Sequence, residues 1–417
     1  MTLRANQLAG LESAIRALKS LDAPADALLH RFFRDHPQMG QQDRAFIAEG
    51  VFAWLRRRRS IETLAQSKSP RRLALAVAVR ELGHSVRDLE PAISADDVAW
   101  LREFKARVAE PLEEAVALDL PDWLWERLRA AYGDDARELA RALAQPAPLD
   151  LRVNPLKSNR DAVRAALAAN GLDATPTPLS PLGLRVAGRP ALNRHPAFQA
   201  GDFEVQDEGS QLVGWLVAPR RGEMVVDFCA GSGGKTLLLG ALMRSQGRLY
   251  AFDVSEKRLA NLKPRLARSG LSNVHPQLIA SERDVRVKRL AGKIDRVLVD
   301  APCTGFGTLR RNPDLKWRQT ADSVAELTAK QASILRGASV LVKPGGRLVY
   351  ATCSILPDEN EAIVNAFLAE HPQFTLVAAD AELDRAGITL DTGPMLRIFP
   401  HKHGCDGFFA AVMTRAS

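Results

Sequence analysis

At 417 residues the chain has room for two or three domains, each with its own core. Its 46 % hydrophobic and 25 % charged residues exclude a disordered or fibrous chain, and no apolar run approaches the roughly 20 residues that cross a bilayer. A formal net charge of +8 and a pI near 9.5 suggest a polyanionic partner, though many basic proteins bind no nucleic acid.

The start, Met1-Thr2-Leu3-Arg4-Ala5, lacks the apolar segment of a signal peptide, so a cytoplasmic chain with no membrane partner is expected. Residues 1–145 read as all-helical, rich in Ala, Leu and Arg and sparse in glycine. Phe46, Ile47, Val51, Trp54 and Leu55 recur at helical spacing and should share one face. That helix runs into Arg56-Arg57-Arg58-Arg59, followed by Arg71-Arg72 and Arg80. Such clusters serve either as a solvated helix face or as a phosphate-contacting surface.

Ala144-Gln145-Pro146-Ala147-Pro148 reads as a linker. A strand over 149–153, a helix over 160–170 ended by Gly171, and strand-like ends in 175–186 then make a small α/β module, expected over 146–200. From about residue 200 strands alternate with helices. The expected strands are 224–228, 248–253, 274–279, 296–300, 347–352 and 407–413, with a helix over 324–342 and a turn at Lys343-Pro344-Gly345-Gly346. This alternation predicts a mostly parallel, doubly wound α/β sheet with ligands at the carboxyl ends of its strands.

The strand at 224–228 leads into Cys229-Ala230-Gly231-Ser232-Gly233-Gly234-Lys235-Thr236, a glycine turn opening a helix. Backbone N–H groups in such a turn face a ligand. A phosphate-binding P-loop needs glycine where Cys229 stands, and a dinucleotide fingerprint begun at Gly231 needs glycine where Thr236 stands. Both patterns fail. Asp253, seventeen residues after Thr236, ends the next strand and suits the hydroxyls of a ribose. A helix-capping aspartate is the ordinary alternative; with the loop upstream, S-adenosylmethionine is the cofactor that fits.

The four cysteines, Cys229, Cys303, Cys353 and Cys405, form no C-x-x-C pair, so no metal is expected and the thiols should be free. Two of them follow strand ends, in Asp300-Ala301-Pro302-Cys303-Thr304-Gly305 and Thr352-Cys353-Ser354. A lone cysteine on a strand is usually a small core residue. Two on the cofactor rim invite nucleophilic chemistry. A thiolate added to carbon 6 of a pyrimidine makes carbon 5 enamine-like and able to take a methyl group. A base must then remove the carbon 5 proton, and a carboxyl group at the ring nitrogen stabilises charge during addition. One nucleophile, one base and one carboxyl are what the two cysteines, Cys303 and Cys353, and Asp300 offer, and the chemistry alone does not say which cysteine attacks.

Over residues 200–413 the chain resembles the RNA (cytosine-5) methyltransferases of the RsmB (Sun/Fmu, Nop/Sun) family. The segments that carry the resemblance are Val205-Gln206-Asp207-Glu208-Gly209-Ser210-Gln211, the loop from Asp227 to Thr236, and Asp300-Ala301-Pro302-Cys303. Arg311-Asn312-Pro313-Asp314-Leu315-Lys316-Trp317, Tyr350-Ala351-Thr352-Cys353-Ser354 and Asp406-Gly407-Phe408-Phe409 complete the set. The resemblance implies that Cys353 is the nucleophile, that Cys303 assists product release and that Asp300 contacts the cytosine. It assigns cofactor contacts to Cys229, Ala230, Gly231, Ser232, Gly233, Gly234, Lys235, Asp253, Arg258 and Asp300, with Glu282 the first choice for the adenine side and Asp284 the second. It places Arg310, Arg311, Lys316 and Arg318 along an RNA channel, each with a solvated surface charge as the alternative.

The implied architecture is a Rossmann-like class I methyltransferase domain over 201–417, behind the small α/β module and a helical, NusB-like RNA-binding domain over 1–145. Where the family loop usually reads Cys-Ala-Ala-Pro-Gly-Gly-Lys, this chain has Gly231-Ser232 in place of Ala-Pro, and greater loop flexibility is expected. A monomeric enzyme acting on ribosomal RNA is expected. The alternatives are a transfer RNA enzyme, a DNA cytosine-5 methyltransferase, which uses its Pro-Cys cysteine as nucleophile, and a non-catalytic RNA-binding assembly factor.

Overall fold

Apolar residues at helical spacing, with little glycine between them, collapse the first third of the chain into helices. In the helix Gln41–Arg56, Ile47, Val51, Trp54 and Leu55 are fully buried, and Phe46 packs partly against the same core. The structure, a computed structural model, describes residues 3–417; Met1 and Thr2, part of the start read above, lie outside the described residues. Among the described residues no helix is long and apolar enough to cross a membrane.

The chain divides into two compact units, Met1–Gln145 with Leu309–Ala321, and Pro146–Thr308 with Asp322–Ser417. From sequence, Leu309–Ala321 belongs with the catalytic residues; in the structure it folds into the helical unit. Side-chain chemistry explains this. The Trp317 indole packs on the helical core and donates Nε1 to the Leu55 carbonyl at 2.6 Å. Asp314 accepts the Ala25 N–H at 3.3 Å, and the Lys316 ammonium donates to the Arg56 carbonyl at 2.9 Å.

The arginines expected to offer a phosphate-contacting face are engaged within this unit. Arg58 pairs with Glu62 at 3.0 Å and Arg59 with Asp122 at 2.8 Å. Arg71 and Arg72 converge on Asp97 at 2.8 and 3.2 Å, while Arg80 donates to the Ser60 hydroxyl.

In the second unit, β1 (Leu149–Val153), β2 (Ala174–Pro176), β3 (Gly183–Val186) and β4 (Phe203–Val205) form an antiparallel sheet in the order β2-β3-β1-β4. The helix Arg160–Ala168, capped by Asn159 accepting the Ala162 N–H at 3.0 Å, packs Val163 and Leu167 into the same small core. An end at residue 200 cuts this module short, because Phe203 and Val205 pair with Val153 and Leu151.

The large sheet is built from β5 (Met224–Asp227), β6 (Arg248–Asp253), β7 (Val274–Leu278), β8 (Ile294–Asp300) and β9 (Val342–Thr352), then β10 (Phe374–Val377), β11 (Leu396–Ile398) and β12 (Phe408–Arg415). Its order is β10-β12-β9-β8-β5-β6-β7, with β11 on the side of β12. Strands β5 to β9 pair in parallel; β12 is antiparallel to β9. Val225, Val226, Val297, Leu298, Val299, Leu348 and Val349 are all fully buried, as expected of parallel strands covered on both faces.

All six expected strands form, and the short β10 and β11 are additional. The helix expected over 324–342 lies at Ala321–Ser339. Lys343-Pro344-Gly345-Gly346 is no separate turn but part of β9, absorbed where the register with β8 shifts between Ile294 and Arg296. Pro344 lacks an N–H and Gly345 sits at φ +72°, so an irregular stretch of strand accommodates both.

Candidate active site

Chain order reverses between β5 and β8, and the carboxyl ends of the strands there open a crevice. A cavity of about 620 Å³ occupies it. Cys229, Ala230, Gly231, Ser232, Gly234, Lys235, Asp253, Arg258, Glu282 and Asp300 all line it, together with Cys303 and Cys353. Gly233 supports the loop from behind: at φ +82°, a Cβ there would stand 2.1 Å from Leu262 Cδ1. Asp284 lies outside the cavity and caps the short helix Val285–Arg289, accepting the Ala280 and Arg286 N–H groups at 2.8 Å.

Two strand ends shape the glycine loop. Ala230 N–H donates to the Phe252 carbonyl, and Gly231 N–H to Asp253 Oδ2, both at 2.8 Å. The other carboxylate oxygen of Asp253 accepts the Ser255 N–H at 2.7 Å, and Arg258 stands 3.5 Å away. Asp253 is thus fixed at the rim with lone pairs left for a ligand. Gly231 adopts φ +56°, a conformation that strains an alanine, which gives a backbone reason for the departure from Ala-Pro.

The loop is also held from outside. Arg265, paired with Glu204, donates to the Ser232 carbonyl at 2.8 Å. Arg152, buried on β1, donates to the Gly234 carbonyl at 2.6 Å and to the Gln206 side chain. These two guanidiniums tie the backbone of the loop to β1 and to the helix Glu256–Ser269.

Glu282 accepts the Ser333 hydroxyl at 2.7 Å, a bond that holds its carboxyl below the usual carboxylate range. Beneath the loop, Asp227 accepts the Thr236 hydroxyl at 2.7 Å, while its second oxygen is buried without a partner. Burial pushes this carboxyl up to about 7. Cys229, lining the cavity from the same strand end, is pushed upward by burial as well.

Lys235 and Asp300 form an ion pair at 2.8 Å, with the ammonium 5.2 Å from the Phe408 ring centroid. Burial opposes the Lys235 charge, but Asp300 more than offsets it and the ammonium is held above its ordinary range. Because β8 and β9 are parallel neighbours, the segments leaving them run side by side. Cys303 and Cys353 there bring their Sγ atoms to 3.4 Å. The adjacent Cys353 sulfur, with burial, drives the Cys303 thiol well upward. Cys405, by contrast, is a buried core thiol.

Arg310, Arg311, Lys316 and Arg318 do not join this cavity. They lie in the segment folded into the helical unit. Lys316 is only 3 % exposed, and burial pushes its ammonium down to about 7, so it does not line an open channel. Arg318 pairs with Asp314 at 3.4 Å.

Several lining residues were not singled out from sequence: Gln206 and Ser210 within the quoted Val205–Gln211 segment, and Arg265, Lys330 and Ile334 from helices. The segment itself was the available signal for the first two. Among the described residues, no group of three or more His, Cys, Asp or Glu side chains is placed to hold a metal ion.

A doubly wound sheet with its cavity at the strand order reversal, lined by a glycine loop and a strand-end carboxylate, is the Rossmann-like architecture of class I methyltransferases. The chain belongs to the RsmB/F family: the family model described as 16S rRNA methyltransferase RsmB/F matches residues 214–414. The RsmF/B-like ferredoxin-like domain matches 120–193. A probable ribosomal RNA small subunit methyltransferase B from Synechocystis is 33 % identical, covering 99 % of this chain and 100 % of the relative. A ribosomal RNA small subunit methyltransferase B from Sodalis glossinidius is 32 % identical over 90 % of this chain and 91 % of its own. The crystal structure of PH0851 is 27 % identical, with a TM-score of 0.80 over 99 % of both chains.

Proposed function

We propose that this protein transfers a methyl group from S-adenosylmethionine to carbon 5 of a cytosine in small-subunit ribosomal RNA, acting in the cytoplasm through a covalent thiol adduct. The observation that carries the proposal is the pair of thiols 3.4 Å apart on the rim of the cavity that Asp300 and the glycine loop also line. The residues fit the cofactor: Asp253 has free lone pairs for a ribose, the Gly231–Gly234 backbone leaves a concave surface, and Glu282 faces the cavity from beyond β7. The cofactor supplies an electrophilic methyl group.

The rest is done by this chain's own residues. Cys353 adds to cytosine carbon 6, giving carbon 5 the electron density of an enamine. Asp300, oriented by the Lys235 ammonium, contacts the cytosine and passes the proton given up by the Cys353 thiol to the ring nitrogen, which neutralises the negative charge that develops there on addition. Cys303 removes the carbon 5 proton, the electron pair re-forms the ring double bond, and the Cys353 thiolate leaves. The roles fit the electrostatics. Cys303 is held as a neutral thiol chiefly by the Cys353 sulfur.

The test uses unmodified 16S rRNA transcript and labelled cofactor. Cys303→Ala is expected to trap a protein–RNA adduct that survives denaturation, and Cys353→Ala to abolish both adduct and methylation. A trapped adduct with Cys353→Ala instead would show that the roles are reversed.

A further inference from the structure

One buried carboxylate touches neither the cavity nor any surface, yet both cysteine segments converge on it. Glu359 lies in a short 3₁₀ turn, Pro357–Glu359, and is fully buried. Its Oε1 accepts the Thr304 N–H at 2.8 Å and Gln331 Nε2 at 2.9 Å. Its Oε2 accepts the Thr304 hydroxyl at 2.6 Å and the Ser354 hydroxyl. Its own carbonyl takes the Tyr350 hydroxyl at 2.6 Å, which ties the turn to β9. Thr304 follows Cys303 and Ser354 follows Cys353, so a single carboxylate joins the residues next to both thiols.

The two segments depend on it unequally. The Cys353 side has other struts: Cys353 O accepts the Gly307 N–H at 2.8 Å, Ser354 N–H donates to the Thr352 hydroxyl, and Ser354 O accepts Asn360 Nδ2. On the Cys303 side, Ala301 N–H donates to the Ala351 carbonyl at 2.8 Å, the Gly305 N–H bonds the Cys303 sulfur and the Thr304 and Ser354 hydroxyls stand 3.3 Å apart. The remaining anchors of Pro302 and Thr304 run to Glu359: two direct bonds from Thr304, and the Pro302 carbonyl accepts from Gln331, itself held by Glu359. From this asymmetry we infer that Glu359 is a positioning residue whose carboxylate sets Cys303 against Cys353 and so serves the release half of the reaction. A buried carboxylate satisfied by four donors is rigid, and rigidity at this point fixes where the Cys303 sulfur stands. The inference rests on the proposed role of Cys303 as the releasing base.

Removing the carboxylate frees the Pro302–Thr304 segment while leaving most of the bonds around Cys353. Addition and methylation then proceed, but proton removal from carbon 5 loses its aligned base. Glu359→Ala is therefore expected to cut turnover about 10- to 100-fold, as small misplacements of a reacting group do. Covalent protein–RNA adduct should accumulate with both cysteines intact, and affinity for S-adenosylmethionine should stay at the wild-type level. Loss of stability alone lowers turnover without building up adduct, so the adduct separates a positioning role from a merely structural one.

Thr304→Val removes the hydroxyl bond while keeping volume and the backbone bond, and serves if Glu359→Ala does not fold. The full-length chain, 16S rRNA transcript and labelled cofactor are used throughout, with Cys303→Ala in parallel. Adduct accumulating in Glu359→Ala or Thr304→Val supports the inference. If Cys303→Ala traps adduct while a folded Glu359→Ala and Thr304→Val trap none, the inference is overturned and the proposed reaction stands. If Cys303→Ala itself traps none, the proposed reaction falls and the inference with it.

Discussion

Asp227→Asn is expected to stabilise the catalytic unit at pH 8 more than at pH 5. Asp227 lies at the end of β5, 1 % exposed, with one oxygen bonded to Thr236 and the other buried without a partner. Its carboxyl moves from 3.8 to about 7 on folding. The folded state therefore binds a proton that the unfolded chain releases, and the stability from this site is complete below about pH 3.8 and is lost as pH rises through about 7. At about 1.4 kcal/mol per pKa unit, the ionisable side chain costs about 4 kcal/mol at pH 8 and about 1–2 kcal/mol at pH 5, relative to a neutral group of the same shape. The asparagine oxygen can keep the Thr236 bond, while its amide takes the unpartnered position at a pH-independent cost of about 1–3 kcal/mol. That constant cancels between the two conditions, leaving about 2–3 kcal/mol of extra stabilisation at pH 8 over pH 5. Urea denaturation of variant and wild type, followed by far-ultraviolet circular dichroism at both pH values, measures the difference. An equal effect at the two pH values, or a larger one in acid, would refute the assignment of Asp227 as a carboxyl neutralised by burial.

Two further substitutions test the supports of the site and of the helical unit. Arg265→Ala should raise KM for S-adenosylmethionine about 10-fold, because a charge-assisted bond to the Ser232 carbonyl is worth roughly 1.5 kcal/mol, with kcat little changed. An unchanged KM would mean that the loop is rigid without the clamp. Trp317→Ala should cost the helical unit about 2–3 kcal/mol, since a half-buried indole and its bond to the Leu55 carbonyl are both lost. Thermal unfolding checks this, and no change in midpoint would show that the segment is merely laid on the unit.

Much of the large sheet was legible because buried parallel strands are short apolar runs separated by helical periods. Runs such as Val225-Val226 and Val297-Leu298-Val299 have few other places to go. The groups that line the cavity were legible for a related reason: Asp253, Asp300 and Cys353 stand at or just past strand ends, which is where a doubly wound sheet opens its crevice. The short edge strands β10 and β11 were not, since three or four residues leave little periodic signal.

The sequence by itself determined the sheet, the glycine loop and the identity of the groups that meet there, because these follow from local patterns of a few residues. Only the tertiary structure decided which groups act together across long separations. Cys303 and Cys353, fifty residues apart, become neighbours only when β8 pairs with β9. Lys316 belongs to a motif that suggests an exposed RNA contact, yet its ammonium is buried against the Arg56 carbonyl, a bond spanning 260 positions. The glycine loop lacks its usual proline and is steadied instead by Arg152 and Arg265, which no local pattern connects to it. The physical reason is common to all three: a long-range hydrogen bond or ion pair depends on where the backbone has carried each partner, and packing sets that position.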